Sequence, residues 1–476
     1  MDRSITKNIT YLGFSQILSK ALMYVFLIMI TRILGNELMG IFAYLLNLII
    51  IFDVLIDFGL TPFMVRDIAG DRRKTRTLFL YPLLIKYSIA VPAAVILLVY
   101  SYYFEQNVEK IQSIPYVITA LFTWPLFNSV VSVFQAHERQ ELYGMMYILR
   151  NLLLLICTYI LLIFGLGVKA PVISLGISAL LAAVTGYILI KRNFINSGQK
   201  EKHPHKIKYL LKNGLPFYVS AIIAALFLRI DIILLSWLRG DIETGLYKVA
   251  QQTLEGLLLI PFVVGNTIFP VLSRIANKDK EQFRQILYKS IKLLFFAAIP
   301  IVSFITFSSK EVISIFYGYD EYSGSVLPLK ILVWYLIPNY INYILMFSLY
   351  AFNKQKKVLR VLFFGFLIKF LLTILYVPEF GLIASCYIGI ISEFFILGGY
   401  LYLGRKIFLK SFPLVSLVKI SAVSALFYYL LNVFFIDSAL WYQFIFAAVI
   451  YITGVFALRV ITPNELKNIK ASLLNS

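Results

Sequence analysis

The chain has 476 residues, of which 60% are hydrophobic and only 14% charged, a balance that excludes burial of the apolar surface in one soluble core. Its 44 Lys and Arg against 24 Asp and Glu leave a formal charge of +20, which in a soluble protein would suggest nucleic acid. Here the basic residues crowd into alternate gaps between long apolar segments, so membrane topology accounts for most of them and no nucleic-acid partner is expected.

Each crossing needs about 20 apolar residues to cover about 30 Å of hydrocarbon. Segments of that kind lie near 10–32, 38–63, 78–104, 112–136, 145–166, 170–192, 212–238, 245–270, 286–308, 326–352, 358–378, 380–403, 412–436 and 440–460. All are predicted to be helices, because a helix satisfies its own backbone hydrogen bonds in lipid. The expected fold is therefore an all-α polytopic membrane protein of about fourteen transmembrane helices.

The odd gaps are poor in positive charge, with Arg32, Lys110, Lys169 and Arg239, and later Lys310 and Lys330. The even gaps are rich: Arg66 with Arg72, Arg73, Lys74 and Arg76; Lys191 to Lys212; Arg274 to Lys292; Lys354 to Arg360; and Arg405 to Lys419. Since positive flanks stay in the cytoplasm, both termini are expected there, in a multi-pass protein of the cell membrane. The gap at 137–144 is the weakest in this series, with Arg139 its one basic residue. The first apolar stretch is of full span length and is expected to be a retained helix, not a cleaved leader. Cys157 and Cys386 fall inside spans and read as two small apolar side chains.

The most polar interior stretch, NFINSGQKEKHPHKIKYLLK at 193–212, separates six spans from eight. It divides the chain into an N-terminal six-helix bundle at 1–195, a basic cytoplasmic linker at 196–211, a second six-helix bundle at 212–405, and an extra helix pair with a tail at 406–476. His203 and His205 in the linker lack the companions a metal site needs and read as solvated residues. On either side the chain repeats itself. TRILGNELMGIFAYL at 31–45 is answered by SWLRGDIETGLYKVA at 236–250, with Gly35 and Gly40 matched by Gly240 and Gly245. GLTPFMVRDIAGD at 59–71 is answered by GNTIFPVLSRIANKD at 265–279. Two glycines five apart suit a tight turn opening a helix, where positive φ or close backbone approach is needed. An even number of spans per copy makes this a parallel repeat, related by a pseudo-two-fold axis near the membrane normal.

These blocks, with LRIDIILL at 228–235, IFPVLSRIA at 268–276, YAFNKQKK at 351–357 and its preceding residue, and PEFGLIAS at 378–385, resemble the polysaccharide-biosynthesis flippases of the multidrug/oligosaccharidyl-lipid/polysaccharide exporter superfamily. The resemblance covers about residues 1–405. It implies two bundles facing a cavity, and passage of a lipid-diphosphate-linked oligosaccharide across the membrane by alternating access. It also implies membrane lipids as surroundings and downstream polymerases or glycosyltransferases as partners. Some members, the lipid II flippases among them, carry an extra helix pair and use it as a groove for the lipid tail.

Charges inside spans are costly enough to be functional by default. Ten are predicted: Lys20, Lys86, Arg150, Arg229 and Lys369 against Asp53, Asp57, Asp231, Glu255 and Glu393. At 1.5 Å per residue, Lys20 and Asp53 both lie about 15 Å from the cytoplasmic face, and Asp57 lies one turn from Asp53 on the same side. A pair of Lys20 with either acid, and a pair of Lys369 with Glu393, are expected, serving either to lock helices or to release a cation to an anionic ligand. Arg229 is the leading candidate for the substrate path, since its spacing from Asp231 sets the two on different faces; the resembled family implies a cavity role for both. Arg32, Lys86 and Arg150 are candidates of the same kind, or side chains that snorkel to the interface. Glu255 is a candidate proton or sodium site, with no other cofactor expected. Of the prolines within spans, Pro216 and Pro261 are the expected hinges.

The alternative readings are a lipid II or multidrug exporter of the same superfamily and, from a different class, a membrane glycosyltransferase or polymerase. A multidrug exporter would favour carboxylates over cations in its cavity, which the even balance of buried charge leaves open. A membrane glycosyltransferase or polymerase would need acid or metal-ligand residues on a sizeable outer loop; the longest, at about 309–326, offers Glu311, Asp320 and Glu321 and reads better as an exposed turn. No Gly-rich run ends in Gly-Lys-Ser/Thr, so a nucleotide-binding loop is absent and an ion gradient is the expected source of energy.

Overall fold

A computed structural model describes residues 3–194, 207–408, 412–434 and 440–458. The linker histidines and the end of the tail therefore lie outside the described residues. Every regular element among the described residues is helical, and by contact the chain divides into two compact units, Met1–Lys248 and Val249–Ser476.

The first unit holds α1 (Arg3–Asp57), α2 (Leu60–Gly70), α3 (Thr75–Tyr103), α4 (Val108–Ala136), α5 (Gln140–Ile163), α6 (Lys169–Asn193), α7 (Ile207–Arg239) and the start of α8 (Asp241–Glu255). At 1.5 Å per residue α1 would run about 80 Å, far beyond one bilayer. It is two helices joined through Gly35, whose φ of 75° and ψ of 175° leave helical geometry. Between α4 and α5 the chain turns at His137–Arg139, with Glu138 left-handed at φ 59°.

Lipid offers no hydrophobic drive between helices, so close packing must bring them together, and small residues allow it. Along α6 every fourth residue from Ala170 through Ser174, Ser178 and Ala182 to Gly186 is small and buried. A Cβ on Gly186 would stand 2.4 Å from Val130 of α4, and one on Gly176 2.7 Å from Thr119. Thus α4 seats directly on α6, while α1 packs on both α5 and α7.

The repeated glycines divide their work. Gly35 and Gly240 take positive φ, 75° and 86°, and turn the chain before a helix. Gly40 and Gly245 instead pack on each other's backbones. A Cβ on Gly40 would lie 1.8 Å from the Asp241 carbonyl oxygen, and one on Gly245 1.8 Å from that of Asn36. Just past the other end of α1, Phe58 and Gly59 are both left-handed, at φ 48° and 70°, and a Cβ on Gly59 would meet the carbonyl of Gly214 in α7 at 2.2 Å. Phe58 stacks on Tyr218 of α7 there, with ring centroids 4.5 Å apart. The second half of α1 is thus held by backbone contact with α8 near one end and with α7 near the other.

The second unit continues α8 into α9 (Leu259–Ile275), then α10 (Lys280–Phe307), three short helices α11 (Ser309–Phe316), α12 (Tyr319–Tyr322) and α13 (Val326–Leu332), then α14 (Leu336–Ala351), α15 (Gln355–Phe408), α16 (Leu414–Phe434) and α17 (Leu440–Ala457). Like α1, α15 is two helices joined through one glycine, Gly381, at φ 59° and ψ −144°. Between α8 and α9 the axis bends by 40°.

By length and apolar composition, ten of the described helices can cross a membrane, or eleven if the bent pair α8 and α9 is one span. The difference from the expected count has two causes. Each of α1 and α15 is a pair of helices joined at a glycine that holds two of the expected segments and is counted once, and the apolar part of α17, Leu440–Val455, is short.

Replacing Gly40 by Ala drives a methyl into backbone that cannot rotate away, so a loss at or above the about 1–3 kcal/mol typical of overpacking is expected. Gly398→Ala in α15 meets open space and is expected to leave stability equal or improve it by up to about 1 kcal/mol. Thermal unfolding of the two purified variants in one detergent checks this; equal midpoints would show that the Gly40 contact is not close-packed.

Candidate functional site

The last turns of α1 carry Asp53 and Asp57, and three helices bring partners to them. Lys86 lies about 16 Å along α3 by helical rise, on the face turned toward α1 and α4. It is wholly buried, and its Nζ sits 2.8 Å from Asp57 Oδ1. The same ammonium donates to Thr61 Oγ1 at 2.8 Å and to Ser129 Oγ at 3.2 Å, so its three donors are all used. Thr61 donates to Asp57 through both its hydroxyl and, at 3.3 Å, its amide. The group therefore ties α1, α2, α3 and α4 together. Lys86 does not snorkel, as its place near a helix end allowed, and it, not Lys20, is the cation on Asp57.

Asp53, one turn back, takes Asn128 Nδ2 on both oxygens, at 3.1 and 3.4 Å. The expected bridge from Lys20 to this acid is replaced by an amide from α4, and Lys20 is exposed. The fields of Lys86 and, after it, Arg150 of α5 both reach Asp53. The Arg150 guanidinium lies over the rings of Trp124 and Phe127, at 4.6 and 5.0 Å, and its buried Nε makes no hydrogen bond. No carboxylate among the described residues stands within salt-bridge distance of it. The Trp124 ring is itself held, with Nε1 donating to the Leu175 carbonyl of α6 at 3.3 Å. Arg150 thus turns inward onto an aromatic platform instead of snorkelling, because rings on α4 solvate its face by cation–π attraction.

On α7, Asp231 is buried and accepts from the Tyr247 hydroxyl at 2.8 Å, while Arg229 is half-buried. Arg32 is exposed at the end of the first half of α1, in keeping with the interfacial alternative. A further buried pair was not legible as such. Lys110, counted among the charges of an outer gap, lies 2.7 Å from Asp241 at the start of α8. It also donates to Ser236 at 2.8 Å and sits 4.5 Å over the Tyr44 ring. Asn107, which caps α4 through its Oδ1, donates its Nδ2 to Asp241 at 2.9 Å.

In the second unit, Glu393 of α15 is buried between two carboxamides of α14. Asn342 Nδ2 reaches its Oε2 at 2.6 Å, and Asn339 Nδ2 its Oε1 at 3.2 Å. The charge of Lys369, also buried, and the Tyr335 hydroxyl bear on the same carboxylate. The Oδ1 atoms of Asn339 and Asn342 are buried and accept no hydrogen bond. Asparagine carries no charge, so neither residue entered the sequence count of buried ions; their three-residue spacing on a helical face is the one signal that pointed to them.

Glu255 is half-buried at the end of α8, where the helix breaks. Pro261 stands in the first turn of α9 and has no amide hydrogen for the Leu257 carbonyl. That carbonyl accepts instead from Ile260 N at 3.2 Å and from the Tyr340 hydroxyl of α14 at 2.7 Å. At Pro216, by contrast, α7 continues without interruption. No cluster of three His, Cys, Asp or Glu suited to a metal occurs among the described residues.

Residues 5–276 match the family described as polysaccharide biosynthesis protein, and residues 216–375 match MatE. An O-antigen transporter candidate of Shigella flexneri is 25% identical over 188 residues, 39% of this chain and 44% of that protein, so the chain spans less than half the length of this relative. Among solved structures, the lipid II flippase MurJ in an inward closed conformation is similar with a TM-score of 0.73 at 14% identity, over 93% of this chain and 97% of that one. An outward-facing multidrug resistance MATE family transporter gives 0.60 at 14% identity, over 84% and 95%.

Lys86→Met leaves Asp57 buried against an apolar side chain and is expected to cost about 3–5 kcal/mol, whereas adding Asp57→Asn should recover most of that loss. Denaturation of the single and double variants in one detergent measures it. Equal losses would mean the two charges do not neutralise each other.

Proposed function

This chain belongs to the polysaccharide biosynthesis protein family, and we propose that it moves a polyprenyl-diphosphate-linked oligosaccharide from the cytoplasmic to the outer leaflet of the cell membrane by alternating access. At the coarser level it is a multi-pass membrane transporter of the flippase superfamily and not an enzyme. The observation that carries the finer reading is Arg150. Its guanidinium, with a buried and unused Nε, lies over the rings of Trp124 and Phe127, and Asn128 is the hydrogen-bond donor on the nearby Asp53. A guanidinium in that setting can form paired hydrogen bonds to a diphosphate, and leaving it without a bound carboxylate keeps its donors available. Aromatic faces beside it suit the apolar faces of sugar rings. A drug cation would be repelled by the same group.

Both termini are placed in the cytoplasm on this reading, as the sorting of Lys and Arg supports. Energy comes from an ion gradient. The Glu393 carboxylate with the two unused Asn339 and Asn342 carbonyl oxygens supports a small hard cation or a proton there, since oxygen donors of that kind suit such ions. Pro261, beside the bend, is the better placed of the two expected hinges.

Transport by purified protein in liposomes tests the reading, using a lipid-diphosphate oligosaccharide whose outward arrival a lectin detects. Arg150→Ala should lower the rate at least tenfold with normal insertion, and Arg150→Lys should keep part of it. Arg229→Ala and Arg229→Lys, run alongside, report whether the half-buried arginine of α7 shares the path by the same graded loss. Movement of lipid II alone would reassign the cargo, and failure to move any lipid-linked glycan would overturn the proposal.

A further inference from the structure

The second unit holds a cavity of about 640 Å³ that none of the site residues discussed so far lines. Its volume falls in the range of small-molecule sites, about 300–1,000 Å³. Three stretches of chain meet there: the first turns of α10, the turn from α14 into α15, and the last turns of α15. They bring Lys280, Arg284, Lys354, Lys357, Arg405 and Lys406 to the lining, and no acidic residue lines it.

The acids nearby are engaged elsewhere or weakly placed. Asp279 caps α10, accepting from the amides of Glu281 and Gln282 at 3.0 and 2.9 Å. Glu281 reaches Arg284 Nη1 at 3.4 Å, but its side chain is 69% exposed, so water screens that pair. The Arg284 Nε is buried and has no hydrogen-bond partner. Lys354 spends one donor on the Leu403 carbonyl at 2.9 Å, which fixes its ammonium over the end of α15. Burial, and then the Lys357 charge, hold that ammonium below its ordinary pKa. Like charges gathered in this way repel, and a fold keeps them together at a cost that a bound anion removes.

The remaining lining is apolar. Phe408 is wholly buried, with its ring packed on Gly404 where a Cβ would stand 2.2 Å from it, and Leu349 and Phe352 complete that side. The cavity therefore has a cationic side and an apolar side, at the ends of apolar helices where a bilayer changes from hydrocarbon to headgroups. Basic pockets between membrane helices bind phosphate headgroups by this combination.

We infer that this cavity binds a lipid phosphate, with the phosphate among the six cations and the first part of the lipid chain against Leu349 and Phe408. A membrane phospholipid of net negative charge and a prenyl diphosphate carry the same chemistry, and the experiment separates them. The site does not depend on which cargo the protein moves.

Binding is measured by thermal stabilisation of the purified full chain in detergent, titrated with short-chain phosphatidylglycerol, short-chain phosphatidylcholine, farnesyl diphosphate or inorganic diphosphate. Phosphatidylglycerol or farnesyl diphosphate should stabilise the protein at concentrations at least tenfold below those needed for phosphatidylcholine. The stronger of the two identifies the source. Lys357→Gln with Arg405→Gln and Lys406→Gln removes three exposed cations, none of them in a salt bridge among the described residues, and should weaken this binding at least tenfold. Lys191→Gln with Arg192→Gln and Lys208→Gln removes equal charge elsewhere and should not. Inorganic diphosphate binding as tightly as either lipid would overturn the lipid part of the inference. Equal binding by both triple variants, or no difference between phosphatidylglycerol, farnesyl diphosphate and phosphatidylcholine, would overturn the site.

Discussion

The contact of Gly40 with Gly245 is the constraint on which the first unit depends. Two helices can approach with carbonyl oxygens less than 2 Å from where a side chain would begin only if neither has one. Everything around that point follows from the closeness. It brings Asp241 within reach of Lys110, Ser236 and Asn107, so the first residue of α8 is held by groups from α4 and α7. It also sets Trp237 against Tyr44, whose hydroxyl accepts the indole N–H at 3.2 Å. In lipid, where association gains nothing from excluding water, such backbone contact and the polar pairs beside it supply the attraction.

Buried charge is handled in two ways. Lys86 and Asp57, and Lys110 and Asp241, are mutually neutralised and hydrogen-bonded to hydroxyls, so they join helices. Arg150 and Glu393 take neutral groups as their nearest partners, aromatic rings for one and carboxamides for the other, although the Lys369 charge also bears on Glu393. Neutral partners satisfy geometry without cancelling charge.

Hydrophobic run length and the sorting of Lys and Arg made the helical membrane architecture legible from residues alone, and the two aligned glycine pairs marked the turns and the close approach. The alignment of Gly35 with Gly240 and of Gly40 with Gly245 was informative because each pair repeated at the same place in two copies. Partner choice was less legible. Helical rise gives the depth of Lys20, Lys86, Asp53 and Asp57, yet depth does not say which way each side chain faces, and the azimuth decided that Lys86 meets Asp57. Asn128, Asn339 and Asn342 escaped notice because a search for charge passes over amides. The count of spans differed because two pairs of expected segments are each joined directly at a single glycine, Gly35 or Gly381, with no loop between the helices.

The join of α8 to α9 has one more consequence. Pro261 lacks its amide hydrogen covalently, so no rotation of the chain can give the Leu257 carbonyl the bond that a straight helix would supply. Straightening would forfeit the Tyr340 hydroxyl and gain nothing in return at that oxygen. The bend is thus a standing joint whose stiffness is set by a phenol on a neighbouring helix. Motion of α14 and the angle at this joint are mechanically linked through one oxygen atom.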